Sequence, residues 1–214
     1  MKKLAYFLIS ILSIHVFSQN QKADSLLNVC LEKSKSVGIV AGFAKSGKQY
    51  VTAAGFSDRN EGLEMTTETI VRTASVSKLL TSVATMQLVE QGKMNLEDPL
   101  SKHIAVPSHL EKVTIRQVLN HSSGIRAYRS NKERENKKHY SSLTSASLIF
   151  ISDPLTHTPG QSFSYTTYGY VLLGMLIEEV SNTSYEAYLR QFVFNPARMT
   201  KTGVENIHSL PKGI

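Results

Sequence analysis

Ser75 and Lys78 are the residues whose types and spacing could perform chemistry. They stand in the segment 73–78, immediately before the apolar run 79–89. Residues three apart on a helix lie on one face, so the Lys78 amine can reach the Ser75 hydroxyl. A serine hydroxyl is a weak nucleophile that needs a base, and a lysine serves when burial or neighbouring positive charge lowers its pKa. The first turn of a helix also favours developing negative charge, so the pair predicts nucleophilic catalysis.

The spacing does not decide the assignment alone, because the chain contains a second Ser-x-x-Lys. Ser209 and Lys212 have the same separation. Pro211 lies between them and is incompatible with a helix interior, so this second pair lacks the helical geometry that the chemistry needs. The case for Ser75 therefore depends on what surrounds it.

Other catalytic patterns are missing from the sequence. It has no His-Glu-x-x-His, no paired cysteines, no Gly-x-Ser-x-Gly turn and no glycine-rich phosphate loop. His121 could pair with a serine, but Asp58, Asp98 and Asp153 show no spacing that completes a Ser-His-Asp triad. We expect no metal and no organic cofactor.

Composition is that of an ordinary folded protein. The 214 residues are 41% hydrophobic and 19% charged, enough for one good-sized domain or two small ones. The net charge of +7 is scattered, and the most charged stretch, 131–138, mixes acids with bases. Such a stretch is typical of a solvated face, so nucleic acid is not an expected partner.

Residues 1–18 have the pattern of a secretory signal. Lys2 and Lys3 precede a mostly apolar core, 4–17, that is too short to span a bilayer comfortably. We therefore predict an exported, periplasmic or secreted protein with no stable membrane span, and a single domain over 19–214. Cys30 is the only cysteine, which excludes an internal disulfide, and helical spacing with Leu26 and its apolar neighbours predicts that it lies on an apolar helix face.

The remaining pattern predicts alternating helices around one hairpin. Two β-prone runs flank a Ser46-Gly47 turn, residues 57–72 are irregular, and Gly92 ends the helix that begins near Ser75. Further helices are predicted over 23–35, 113–119, 145–151, 168–180 and 185–194.

Five segments, in this order, resemble the class C β-lactamase-related serine hydrolases. They are TASVSK at 73–78, LVEQGKMNLEDP at 88–99, LNHSSGI at 119–125, PGQSFSY at 159–165 and YGYVLLG at 168–174. That group includes penicillin-binding D-alanyl-D-alanine carboxypeptidases and β-lactamase-fold esterases. The resemblance implies an α+β, β-lactamase/transpeptidase-like fold, with a helical region beside an antiparallel sheet of which only the N-terminal hairpin is present.

The resemblance also implies roles for four residues. Ser75 would be the acylated nucleophile, Lys78 its proton acceptor, and Tyr165 the tyrosine that passes the proton to the leaving group. The oxyanion would be held by the Ser75 backbone N–H and a second N–H from a strand. Thr167, a substrate-binding position, stands where the family most often has Asn. A single hydroxyl cannot replace both the NH₂ donor and the carbonyl acceptor of an amide. The substitution disfavours β-lactams as substrates.

Two further departures concern the C-terminal part of the sequence. Lys201-Thr202-Gly203 matches the family's Lys-Thr-Gly strand motif by letters, but no β-prone run surrounds it. We interpret it as part of the segment that follows the helices. The sequence stops at Ile214, whereas members of the family it resembles continue with further strands, so we expect the C-terminal strands to be missing.

The sequence thus predicts an exported serine hydrolase that forms a Ser75 acyl-enzyme on an amide, ester or lactam carbonyl. Cell-wall peptides, small esters and β-lactams remain open as substrates. The alternative is a catalytically incomplete remnant that binds a peptide or muropeptide. A third possibility is a protein partner that docks on an exposed sheet edge.

Overall fold

A computed structural model describes residues 21–136 and 138–205, so the predicted signal segment at 1–18 lies outside the described residues. Within them, 21–72 and Glu205 form one compact unit, and Thr73–Val204 form a second. No helix in these two ranges is long and apolar enough to cross a membrane.

The first unit contains helix α1, over residues 21–34, and a three-stranded antiparallel sheet in the order β1-β2-β3. Strand β1 (Gly38–Lys45) pairs with β2 (Lys48–Asp58), with Lys45 opposite Lys48. Ser46 and Gly47 have φ of 52° and 75°, which is the left-handed backbone that a two-residue hairpin turn requires. The predicted hairpin is confirmed. The short β3 (Leu63–Glu64) lies within 57–72, where the sequence predicted irregular structure.

Helix α1 is joined to the sheet by a carboxylate. Asp24 accepts hydrogen bonds from the Tyr50 hydroxyl (2.7 Å) and the Thr52 hydroxyl (2.5 Å), and these bonds, Thr52 first, lower the pKa of Asp24. Leu27 is buried, whereas Leu26 and Cys30 are exposed. Cys30 therefore lies with Leu26 on a face of α1 that is apolar in sequence and exposed in the structure.

The second unit is organised around two helices, α2 (Ser77–Glu90) and α6 (Tyr168–Ser181). Between them lie the short helices α3 (Ile115–Leu119), α4 (Asn131–Arg134) and α5 (Leu143–Ser147), and α7 (Tyr185–Tyr188) follows α6 and continues as a π-helical segment, Leu189–Phe194. The core residues with no exposed surface include Leu88, Val118, Leu172, Leu173, Leu176 and Ile177. This core holds α2 and the start of α6 in a fixed relation.

Helix ends follow the sequence signals. Gly92, with φ of 68°, follows α2. Thr114 caps α3 in a capping box with Gln117, and Ser142 caps α5 in another with Ser145. The latter cap starts α5 two residues before the predicted position. Residues 202–205 form no strand, in agreement with the interpretation of Lys201-Thr202-Gly203.

A buried ion network braces the second unit. The Arg126 guanidinium bonds Asp153 (2.5 Å) and Glu133 (2.9 Å), and it lies 5.1 Å from the centre of the Tyr168 ring. The Arg126 side chain is only 9% exposed. Its hydrogen bond lowers the pKa of Glu133 to about 2 and is the main reason that the pKa of Asp153 is also lowered.

Arg126→Met is expected to lower the free energy of unfolding by at least about 2 kcal/mol, since it leaves two partly buried carboxylates without their cation. Urea unfolding of the variant beside the native chain measures this. Arg116→Met is the matched control, because Arg116 forms an exposed pair with Glu97 and should cost under about 1 kcal/mol. Equal losses in the two variants would contradict a stabilising network.

The same network predicts an acid dependence. The pKa of Glu133 is lowered from 4.5 to about 2, so its contribution is full above pH 4.5 and is lost as the pH falls toward 2. The stability difference between the native chain and Arg126→Met should therefore shrink over that interval.

Candidate active site

Ser75 lies in a 3₁₀ turn, Ala74–Val76, that leads directly into α2. Ala74 has φ of 44°, a left-handed conformation that is strained for a residue with a side chain. The Ser77 hydroxyl donates to the Ala74 carbonyl oxygen at 2.6 Å and stabilises this bend. The turn leaves Ser75 exposed at the start of the helix.

Lys78 and Tyr165 both reach the Ser75 oxygen. Lys78 Nζ lies 3.2 Å from Ser75 Oγ, and the Tyr165 hydroxyl donates to the same oxygen at 2.8 Å. The ammonium is also 5.1 Å from the centre of the Tyr165 ring. Lys78, followed by the Ser75 hydroxyl, lowers the pKa of the Tyr165 phenol. A phenol with a lowered pKa can exchange a proton with a neighbouring hydroxyl.

Thr167 completes the cluster from the N-cap position of α6. Its Oγ1 accepts a hydrogen bond from Lys78 Nζ at 3.3 Å, and it makes no capping bond to its own helix. The four site residues predicted from the sequence, Ser75, Lys78, Tyr165 and Thr167, are thus linked in one chain of hydrogen bonds. The sequence separates Lys78 and Thr167 by 89 positions.

Tyr170 is a neighbour that the sequence reasoning placed only in an apolar helix. Tyr170 lies on α6, and its ring centre is 5.7 Å from Lys78 Nζ. Its hydroxyl donates to the Leu119 carbonyl oxygen (3.0 Å) and lies 3.2 Å from the Ser82 hydroxyl. The tyrosine thereby fixes α6 against α2 beside the lysine. The sequence signal for this role was a tyrosine, with its polar hydroxyl, one helical turn beyond Thr167.

His121 packs beside this cluster, and its hydrogen bonds go to the backbone. Its ring centre lies 4.5 Å from that of Tyr165 and 5.2 Å from that of Tyr170. Nδ1 accepts a bond from the Thr166 N–H at 3.3 Å. Burial, followed by the charge of Lys78, lowers the pKa of His121. These contacts give the histidine a structural place beside the cluster.

The carboxylates considered for a triad have other partners. Asp98 bonds Lys102 and His103, while Asp153 belongs to the Arg126 network. Within residues 21–136 and 138–205, no group of His, Cys, Asp and Glu side chains is arranged to hold a metal ion. The described cluster presents a hydroxyl held between an amine and a phenol.

The sequence profile of the Beta-lactamase family matches residues 23–206. The chain belongs to this family of serine hydrolases, and its fold is β-lactamase/transpeptidase-like. The three-stranded sheet and the helical unit correspond to part of that fold.

Among solved structures, a penicillin binding protein from Bacillus halodurans superposes with a TM-score of 0.76 at 29% identity, over 87% of this chain and 58% of that one. Protein flp of Staphylococcus aureus is 28% identical over 198 residues, which are 90% of this chain and 40% of its own length. The human mitochondrial serine beta-lactamase-like protein LACTB is 27% identical and is covered over 47% of its length. The chain thus spans about half the length of these relatives.

Proposed function

We propose that this chain is a serine hydrolase in which Ser75 attacks an amide, ester or lactam carbonyl. The observation that carries the proposal is the arrangement at Ser75 Oγ, which has Lys78 Nζ at 3.2 Å and the Tyr165 hydroxyl at 2.8 Å. Both groups can accept a proton in their neutral amine and phenolate forms, so the hydroxyl has two bases within reach.

The proposed reaction has two halves. Ser75 Oγ attacks the carbonyl carbon, and its proton passes to Lys78 or to the Tyr165 phenolate. The bond from the carbonyl carbon to the leaving nitrogen or oxygen then breaks, and that atom takes the proton from the same pair. Water next attacks the Ser75 ester, which releases a carboxylic acid and restores the hydroxyl. No metal or organic cofactor takes part in this scheme.

The substrate class follows from the open position of the nucleophile and from Thr167. Ser75 is exposed, and Tyr165 is 46% exposed, so a carbonyl on a peptide or a small molecule can approach them. Thr167 offers one hydroxyl, already engaged by Lys78, where an amide would offer both a donor and an acceptor. We therefore favour cell-wall peptides or small esters over β-lactams.

The predicted export agrees with a cell-wall substrate and belongs to the same proposal. Residues 1–18 would be removed as a signal, leaving a hydrolase domain from residue 19 onward in the periplasm or outside the cell. N-terminal sequencing of the protein recovered from cells tests this, and an intact Met1 on exported protein would contradict cleavage.

The deciding experiment is the intact mass of the full 214-residue chain after incubation with a fluorophosphonate, and separately with a penicillin. A single adduct that peptide mapping places on Ser75 supports the enzyme. A folded chain without any adduct would contradict it and would favour the alternative, a module that only binds a peptide or muropeptide. The penicillin arm separates β-lactam recognition from general acyl transfer.

Thr167→Val is expected to slow phosphonylation of Ser75 about five- to tenfold, because Lys78 loses a hydrogen-bond acceptor worth about 1 kcal/mol. The rate of adduct formation by mass spectrometry measures it. Thr167→Ser is the control, since it keeps the hydroxyl and should react at close to the native rate. Equal slowing in both variants would mean that the threonine methyl group, and not the hydroxyl, is what matters.

A further inference from the structure

His121 contacts the catalytic candidate Tyr165 on three sides. The Ser164 N–H, one residue before the tyrosine, donates to the His121 carbonyl oxygen at 2.8 Å. The Thr166 N–H, one residue after it, donates to His121 Nδ1 at 3.3 Å. The imidazole itself lies against the phenol ring, with 4.5 Å between ring centres. One residue thus holds both flanking peptides and the ring.

We call these three contacts of His121 the clamp. Thr166, the residue that His121 Nδ1 contacts, is itself held rigidly. Thr166 is 1% exposed, and its hydroxyl donates to the Arg126 carbonyl oxygen at 2.7 Å while accepting from the Tyr168 N–H at 3.1 Å. The Arg126 side chain is fixed in turn by its buried ion pairs. Thr166 therefore cannot follow a displaced His121, and loss of the Nδ1 bond would leave the Thr166 N–H without this acceptor.

We propose that His121, as a neutral imidazole protonated on Nε2, is the positioning residue that sets Tyr165 at hydrogen-bond distance from Ser75. The inference rests on the proposed hydrolase function for its kinetic consequence, although the tautomer and the clamp can be tested without it. The residue does not touch the reacting atoms; it acts through the tyrosine.

The charge state follows from the geometry. Nδ1 must keep its lone pair to accept the Thr166 N–H, so the proton of the neutral ring is on Nε2. The groups that face the ring are Lys78 from α2, Tyr170 from α6, and Tyr165 and Phe163 from the loop before α6. Protonation would remove the acceptor and add a second cation beside Lys78. The pKa of His121 is lowered below 6.5, in keeping with that cost.

Two variants isolate the acceptor. His121 has φ of 59°, a conformation that both asparagine and glycine adopt readily. His121→Asn places an amide oxygen near the position of Nδ1, whereas His121→Gly has the same backbone freedom and no acceptor. Both lack the ring, so the difference between them reports the hydrogen bond.

We expect phosphonylation of Ser75 to be about tenfold faster in His121→Asn than in His121→Gly. The ratio of the His121→Asn rate to the native rate should also rise as the pH falls through the lowered pKa of His121, because only the native chain loses its acceptor by protonation. Taking this ratio cancels the titration of groups common to both proteins. Equal rates in the two variants, or a ratio independent of pH, would overturn the proposal.

Nitrogen NMR of the ¹⁵N-labelled native chain gives a readout that needs no activity. The expected spectrum has a protonated Nε2 and an unprotonated Nδ1, with slow exchange of the Thr166 amide hydrogen. A proton on Nδ1 overturns the clamp whatever the chain catalyses. A correct tautomer in a chain that takes no fluorophosphonate would support the clamp and count against the hydrolase function, so the two failures are distinguishable.

Discussion

Ser75→Ala should abolish fluorophosphonate labelling, with the rate falling at least about a thousandfold to the level of non-specific reaction. The substitution removes the one oxygen that Lys78 and Tyr165 both contact. It removes little packing, because Ser75 is exposed, and the fold should therefore be retained. Intact mass after incubation, with circular dichroism as the check on folding, measures the outcome.

The chain provides its own control for this experiment. Ser209 begins the second Ser-x-x-Lys of the sequence, three residues before Lys212. Ser209→Ala should be labelled as fast as the native chain if the surroundings of Ser75 produce its reactivity. Labelling that survives Ser75→Ala and disappears in Ser209→Ala would move the nucleophile to the second motif and overturn the assignment.

Lys78→Met should slow phosphonylation by a factor on the order of 100 to 10,000, the usual range for loss of a positioned general base. The methionine keeps most of the aliphatic stem and loses only the amine. A second effect is expected at Tyr165. Lys78 is the main cause of the lowered pKa of that phenol, so the pKa should rise in the variant. The ultraviolet titration of Tyr165, isolated by difference from Tyr165→Phe in each background, measures the change.

Lys93→Met is the control for the loss of one positive charge, since Lys93 is exposed beyond the end of α2. It should leave both the rate and the tyrosine titration unchanged. A Lys78→Met variant that reacts near the native rate would assign the proton transfer to Tyr165 alone. A large loss of rate without any change in the Tyr165 titration would mean that Lys78 acts as a base but does not lower the pKa of Tyr165.

The four residues of the candidate site could be named from the sequence because their signals are local or belong to short motifs. Ser75 and Lys78 lie one helical turn apart, and Tyr165 and Thr167 stand in a segment with a recognisable spacing. Their assembly could not be derived from periodicity, since the segments at the starts of α2 and α6 meet through hydrogen bonds between residues about 90 positions apart. The resemblance to a family supplied that long-range information.

The support around the site was less predictable for a physical reason. Tyr170 appears in the sequence as one more aromatic of an apolar helix, and its role depends on a carbonyl group 51 residues away. The His121 contacts to Ser164 and Thr166 are made with backbone N–H groups, and the identity of those residues in the sequence does not indicate such contacts. Arg126 likewise gives no sign in the sequence that its guanidinium is buried between two carboxylates.

In the first unit, the hydrophobic pattern alone did not predict which side chains are buried. Apolar residues at helical spacing predicted an apolar face for α1, and Leu26 on that face is exposed. Asp24 of the same helix accepts two hydrogen bonds from the sheet, which the pattern did not indicate. The two residues of β3 are too short to produce an alternating pattern and were absorbed into a region predicted to be irregular.

The exposed Cys30 offers a thiol that can be labelled independently of the Ser75 hydroxyl. It is the only thiol in the sequence, and it belongs to the first unit, whereas Ser75 belongs to the second. A maleimide dye reacts with the thiol, and under the proposed function a fluorophosphonate dye would react with the Ser75 hydroxyl. Two different dyes could then be attached in one preparation without engineering a residue. The ratio of the two dyes would then measure the fraction of molecules in which the serine reacts.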